Sequence, residues 1–212
     1  MNEEKKLKNW FAGTQAAIRR HVLVNGVIDE ELVGNVAYWL FKLEKESKES
    51  EKGFEPITLM LSTTGGSVDD TYYLQDFIQT LNCPVDGLVI DKARSMGVDL
   101  LQMCRKRMMF PNSTLFCHYT RRTYPMIFRG EVGERELKVL ANSLQADHAR
   151  RIELYCSRAK KTAEEIGFLL SDGEDYHDTI TAKRALEYGL IDEIIPPFKW
   201  FPQPKETEQK PQ

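Results

Sequence analysis

The sequence predicts an α/β fold with right-handed crossovers, held in one domain. Three observations lead there. Apolar runs of strand length alternate with stretches whose apolar residues recur at helical spacing. Two of those runs, ITLMLST from Ile57 and PVDGLVI from Pro84, read as buried strands. Gly65-Gly66 and Ser95 stand between a run and the helix that follows it, and in such folds sites collect where strands end and helices begin.

The elements follow in order. Residues 1–18 are polar and mixed and form an N-terminal arm. HVLVNGVI, from His21, is a strand with a glycine break. Residues 29–46 carry Leu32, Val36, Leu40 and Leu43 as a helical stripe, with Asp29 placed to cap it. Residues 47–56 are a charged loop. After ITLMLST, the stretch TTGGSV is a tight turn into a helix bearing Leu74, Phe77, Ile78 and Leu81 on one face. PVDGLVI is the next strand, and Ser95 opens the next helix. RMMF from Arg107 and TLFCH, which ends on His118, are two short strands. A long helix over roughly 131–156 carries Leu137, Leu140, Leu144, Ile152 and Tyr155 spaced for packing. The domain runs over 19–197, and the Pro-rich, charged residues 198–212 are a disordered tail.

Bulk properties exclude several classes. The 212 residues suffice for one proper core. Hydrophobic content of 42%, charged content of 29% and a net charge of −3 favour neither nucleic acid nor anionic lipid as a partner. No apolar run approaches membrane-spanning length, and MNEEKKLKNWFAG lacks the apolar core of a signal peptide. Cys83, Cys104, Cys117 and Cys156 are scattered without a CxxC pair, so they read as reduced thiols of a cytoplasmic protein, with no metal site.

Three pieces carry chemistry together. Gly65-Gly66 follows a strand and opens a helix, where a sharp turn exposes backbone N–H groups. Ser95 and Met96 start the next helix, whose first N–H groups are unpaired and lie at the positive end of the dipole. Ser95 there fits a plain N-cap as well as a nucleophile, and the stretch alone leaves both open. His118 ends an apolar strand and is the natural general base. Amide hydrolysis needs a nucleophile, a base and oxyanion donors. Ser95, His118 and the N–H groups of Gly66 and Met96 are of those kinds.

STTGGSV, then ARSMG, then FPNSTLFCH, then ITAKRALEYGLIDEI resemble ClpP, the proteolytic subunit of the Clp protease. The usual pattern there is SPGGSV, a small-residue pair before SMG, LPNS…MIH, and [ST]A…EA…YGL[IV]D. The resemblance covers roughly Arg20 to Pro196, with all four blocks in order. It implies a crotonase-like fold of repeated β-β-α units with a protruding strand-helix handle. It implies a serine endopeptidase whose homo-oligomeric, stacked heptameric rings enclose the active sites. An AAA+ unfoldase feeds such rings unfolded polypeptide and uses the ATP, so this chain itself needs no cofactor. By motif, Ser95 matches the nucleophile, His118 the base, and Gly66 and Met96 the oxyanion donors.

The departures are specific. Thr64 replaces the usual Pro before the glycines, Arg94 stands where the family has a small residue, and Arg121, Arg122 and Arg129 replace a Gly-rich run. A fixed cation at Arg94 could contact substrate, pair with Asp91 or Asp99, or point to solvent, and structural pairing is the favoured expectation. In the family an Asp precedes the [ST]A pair by four residues, and here that position is His177. Asp178, one step later, is the expected third member of the triad if SDGED is added loop length, with Asp175 and Asp172 as alternates. A catalytically inactive ClpR-like barrel subunit and a crotonase-fold acyl-CoA enzyme are the rival readings. An intact Ser95 and His118 argue against the first, and no clear acyl-CoA site supports the second.

Overall fold

The computed structural model describes residues 20–50, 53–121, 133–172 and 179–196. Chain order is β1 (His21–Ile28), α1 (Glu30–Lys48), β2 (Ile57–Gly66), α2 (Val68–Thr80), β3 (Val85–Arg94) and α3 (Met96–Met103). Then come β4 (Arg107–Met109), β5 (Thr114–Phe116), α4 (Glu134–Ala159), α5 (Ala163–Asp172), β6 (Ile180–Thr181), α6 (Ala182–Glu187) and β7 (Glu193–Ile194). The alternation of strand and helix is the α/β class expected.

Strands β1-β2-β3-β4-β7 lie side by side in that order, every neighbour parallel. The length of β3 positions the site. Its first half, Gly87–Val89, pairs with β4, and its last residues, Lys92–Arg94, pair instead with β5. One strand therefore serves two neighbours. The register Arg94↔Phe116 places the end of β5 beside the residue before Ser95. β6 closes the other edge of β5 in antiparallel pairing.

The core packs the sheet against helices α1 to α3 and takes in residues of α4 to α6, among them Tyr155, Ile166 and Ala185. Leu59, Leu61, Val89, Leu100 and Leu101 are fully buried, each contributing about 1.5–3 kcal/mol relative to exposure. Asp29 caps α1 as expected, accepting from the Leu32 N–H at 2.9 Å, a bond worth about 1 kcal/mol.

Several sequence expectations change. The TTGGSV turn is strand through Gly66, because Val27 and Ile28 of β1 continue to pair with Gly65 and Gly66 past a bulge. Ser67 then caps α2 through the Asp70 N–H. β5 ends at Phe116, so His118 lies two residues beyond the strand. Ser171 and Asp172 belong to the last turn of α5 and are not added loop length. The long helix α4 does not bury a continuous apolar stripe. Its buried positions are Asp147, Arg151, Tyr155 and Ala159, all in its second half, while Leu137 is 55% exposed and Val139 61% exposed.

Candidate active site

The Ser95 corner is built by close backbone approach. A Cβ on Gly65 would lie 2.5 Å from the Arg94 carbonyl oxygen and 3.0 Å from the Met96 nitrogen. Gly65 also has φ +82°, so only glycine fits there without strain. The neighbouring Gly66 is pressed against the Ile28 backbone. A Cβ on Gly97 would meet the Thr63 side chain at 2.5 Å, so the glycine of SMG lets α3 sit on β2. These contacts bring the two strand ends, and thus Gly66 and Met96, to one place.

Ser95 itself has φ +50° and ψ −126°, a backbone rarely adopted by a side-chain-bearing residue. Such a conformation costs about 1–3 kcal/mol and persists where the surroundings over-determine it. Here they do. The Ser95 N–H donates to the Phe116 carbonyl at 2.7 Å, and the Ser95 carbonyl accepts from Val98 at 2.9 Å. The Ser95 side chain makes no capping bond to the helix. Ser95 thus stands at the N-cap position without capping the helix, and it lines a cavity.

That cavity, about 250 Å³, is lined by Thr64, Arg94, Ser95, Phe116, His118, Arg121 and Thr179. Ser95 and His118, far apart in sequence, thus share one pocket. The His118 Nδ1–H donates to the Tyr119 carbonyl at 2.5 Å, which leaves Nε2 with its lone pair. Burial pushes the His118 pKa below its ordinary value, and the Arg151 and Arg121 charges push the same way against the Tyr119 hydrogen bond. The lowered pKa favours the neutral ring, the form a base must take. Cys117, beside it in sequence, is no rival nucleophile: burial pushes its thiol up to about 12.

A buried ionic network, not anticipated from the sequence, supports the base. The Arg151 guanidinium grips Asp99 through Nε at 2.6 Å and Nη2 at 3.0 Å, and both side chains are buried. Tyr155 donates to Asp99 at 3.1 Å. Arg151 Nη1 donates onward to the His118 carbonyl at 2.9 Å and to Thr120 Oγ1 at 3.2 Å. Burial works against the Arg151 charge, and Asp99 and Tyr155 more than offset it, holding the guanidinium above its ordinary range. The available signal was Asp99, a single carboxylate in the otherwise apolar start of α3.

Arg94 does not pair as expected. Asp91 is bound to Lys92 at 3.0 Å and accepts from Ser62 at 3.1 Å, and Asp99 is held by Arg151. Arg94 is exposed and turned to the cavity instead. The terminal YGLIDEI block is structural. Arg107 binds Asp192 through Nε and Nη2 and the Gly189 carbonyl through Nη1, tying that block to β4. Asp175 and Asp178 lie outside the described residues, as do Arg122, Arg129 and His177, and only the backbone of Asp172 is described. Thr179, which directly follows Asp178, lines the cavity.

Compared with known families, the sequence matches the family model described as Clp protease over residues 5–197. The chain belongs to the Clp protease family. A Clp protease subunit carries the α/β, crotonase-like fold, and the parallel sheet and helices here agree with it. Membership of the Clp protease family supports a ClpP-type peptidase subunit, and rings working with an unfoldase are general in that family. Among the described residues no helix is long and apolar enough to cross a membrane.

Proposed function

We propose that this chain is an active serine endopeptidase subunit. The observation that carries the reading is that Ser95, on a strained corner and without a capping bond, shares one cavity with His118. Nε2 of His118 takes the Ser95 proton as Oγ attacks the scissile carbonyl. The N–H groups of Gly66 and Met96 stabilise the tetrahedral oxyanion. His118 then protonates the leaving amine, and water hydrolyses the acyl-enzyme by the same route in reverse. Asp178, joined to the cavity-lining Thr179, is the third member we favour, with Asp175 and Asp172 as alternates.

The subunit acts in a self-compartmentalising homo-oligomer of stacked heptameric rings, degrading unfolded polypeptide supplied by an AAA+ unfoldase. The exposed Leu137 and Val139 in the first half of α4 support assembly, because a single chain leaves them uncovered. Sedimentation is expected to give a species many times 24.5 kDa; a monomer alone at micromolar concentration counts against the barrel.

Fluorophosphonate labelling tests the chemistry. The wild-type chain takes up the probe at Ser95 and cleaves a fluorogenic peptide, and Ser95→Ala loses both while still assembling. Hydrolysis unchanged in Ser95→Ala overturns the assignment.

A further inference from the structure

We propose that Arg94 makes the cavity beside Ser95 a seat for an acidic side chain of the peptide, next to the scissile bond. The inference rests on the peptidase reading and names the substrate class of that same site.

Arg94 is the last residue of β3 and immediately precedes Ser95, so its side chain is anchored one residue from the proposed nucleophile. It is exposed and lines the cavity. The two carboxylates nearest in sequence are bound by other cations, Asp91 by Lys92 and Asp99 by Arg151, and Arg94 acts on Asp91 without an ion-pair contact. Among the described residues lining the cavity there is a second guanidinium, Arg121, so two cations stand against the single carboxylate that the triad adds. The field of Arg121 reaches the site, since it disfavours the charged form of His118.

Shape and chemistry agree with that charge. At about 250 Å³ the cavity has room for one large side chain. Phe116 offers an apolar wall for the methylene stem of a glutamate, and Thr64 and Thr179 bring hydroxyl groups. A guanidinium presents paired N–H donors that match a carboxylate and bind it more strongly than a neutral amide. An uncharged glutamine of the same shape loses that charge-assisted term, and a lysine is repelled. Discrimination of glutamate from glutamine is therefore about tenfold to a hundredfold. It weakens as salt rises, because the site is open to solvent.

The test uses matched fluorogenic peptides with Glu, Gln, Leu or Lys at each position flanking the scissile bond. The full chain is compared with Arg94→Ala, Arg94→Lys and Arg94→Glu. The expected result is a Glu-over-Gln ratio in kcat/KM of about tenfold or more at one position. The ratio falls to near one in Arg94→Ala, is partly kept in Arg94→Lys, and gives way to a Lys preference in Arg94→Glu. A wild-type ratio near one at every position, or a ratio unchanged in Arg94→Ala, overturns the proposal.

A second arm separates this from failure of the peptidase reading. Binding of the same Glu and Gln peptides to Ser95→Ala, and to Ser95→Ala combined with Arg94→Ala, is followed by fluorescence anisotropy. Tighter binding of the Glu peptide that depends on Arg94 supports the seat even if the wild-type chain hydrolyses nothing. Equal binding of both peptides overturns it even if hydrolysis is normal. Circular dichroism of each variant excludes unfolding as the cause of a lost ratio.

Discussion

The two walls of the cavity are held in different ways. On the Ser95 side, the support is local and mostly backbone, with the Thr63 hydroxyl accepting from the Gly65 N–H at 3.0 Å. Gly65 and Gly97 allow close approach, and strand pairing with β5 fixes the corner. On the His118 side, the support is a side-chain network that arrives from α4. Arg151 donates to the His118 carbonyl across a separation of 33 residues, and its charge is balanced by Asp99 on the nucleophile helix. One wall is therefore rigid by local geometry, and the other depends on a buried ion pair that joins α3 to α4. The difference predicts that the walls fail differently. Damage to the first removes chemistry by displacing donors, and damage to the second removes stability and tunes the base.

The largest expected effect concerns the Nδ1 side of His118, where the described partner is the Tyr119 carbonyl and not a carboxylate. If Asp178 takes over that role during turnover, Asp178→Asn lowers kcat by up to about 10⁴. A near-normal kcat in that variant, with a large loss in Asp175→Asn or Asp172→Asn, shifts the assignment to the residue that loses. Near-normal kcat in all three leaves the Tyr119 carbonyl as the orienting group.

Next is the network itself. Arg151→Met strands Asp99 as a buried, unpaired charge and is expected to cost about 3–5 kcal/mol in chemical denaturation. The double variant Asp99→Leu with Arg151→Met recovers most of that stability, because it replaces both charges. Its kcat stays reduced, since the His118 carbonyl still lacks its donor. Full recovery of kcat as well as stability would show that Arg151 is structural only and does not position the base.

Gly65→Ala tests the other wall. The new methyl meets the Arg94 carbonyl and the backbone must leave φ +82°. Displacing an oxyanion donor is worth about 10²–10³ in kcat, so peptide hydrolysis falls by that order while the Arg151–Asp99 pair persists. Activity within a few-fold of wild type would mean that the corner is not rigid.

The smallest effect is on pH. Burial, Arg151 and Arg121 lower the His118 pKa, and a base must be neutral to act. A lowered pKa keeps His118 neutral to lower pH, so the acid limb of kcat/KM falls below the usual histidine value of about 6.5. In the double variant Asp99→Leu with Arg151→Met, both the attractive carboxylate and the repelling cation are gone. The limb moves less than in Arg151→Met alone, which raises it toward higher pH. A wild-type limb at or above 6.5 contradicts the sign.

Strand and helix periodicity, the glycine pair and the serine at a helix start were legible in the sequence, because each depends on neighbours a few residues away. β1 and the Asp29 cap fall where the pattern of residues 21–32 puts them. The partners of charged residues were not legible. Arg94 was expected to meet Asp91 or Asp99, yet Lys92 and Arg151 hold those carboxylates. Which cation reaches a carboxylate depends on distances set by packing of remote elements, and Arg151 reaches Asp99 only because the second half of α4 docks on α3. The apparent stripe on α4 misled for the same reason. Its leucines recur at helical spacing in its first half, where Leu137 is exposed and Leu140 and Leu144 are only half-buried, while the docked half buries Asp147 and Arg151. Thus the residue types of the site follow from the sequence by itself. That Ser95 and His118 share a cavity, with Arg94 beside them, was decided by the tertiary structure, because β3 pairs with β4 along its first half and with β5 at its end.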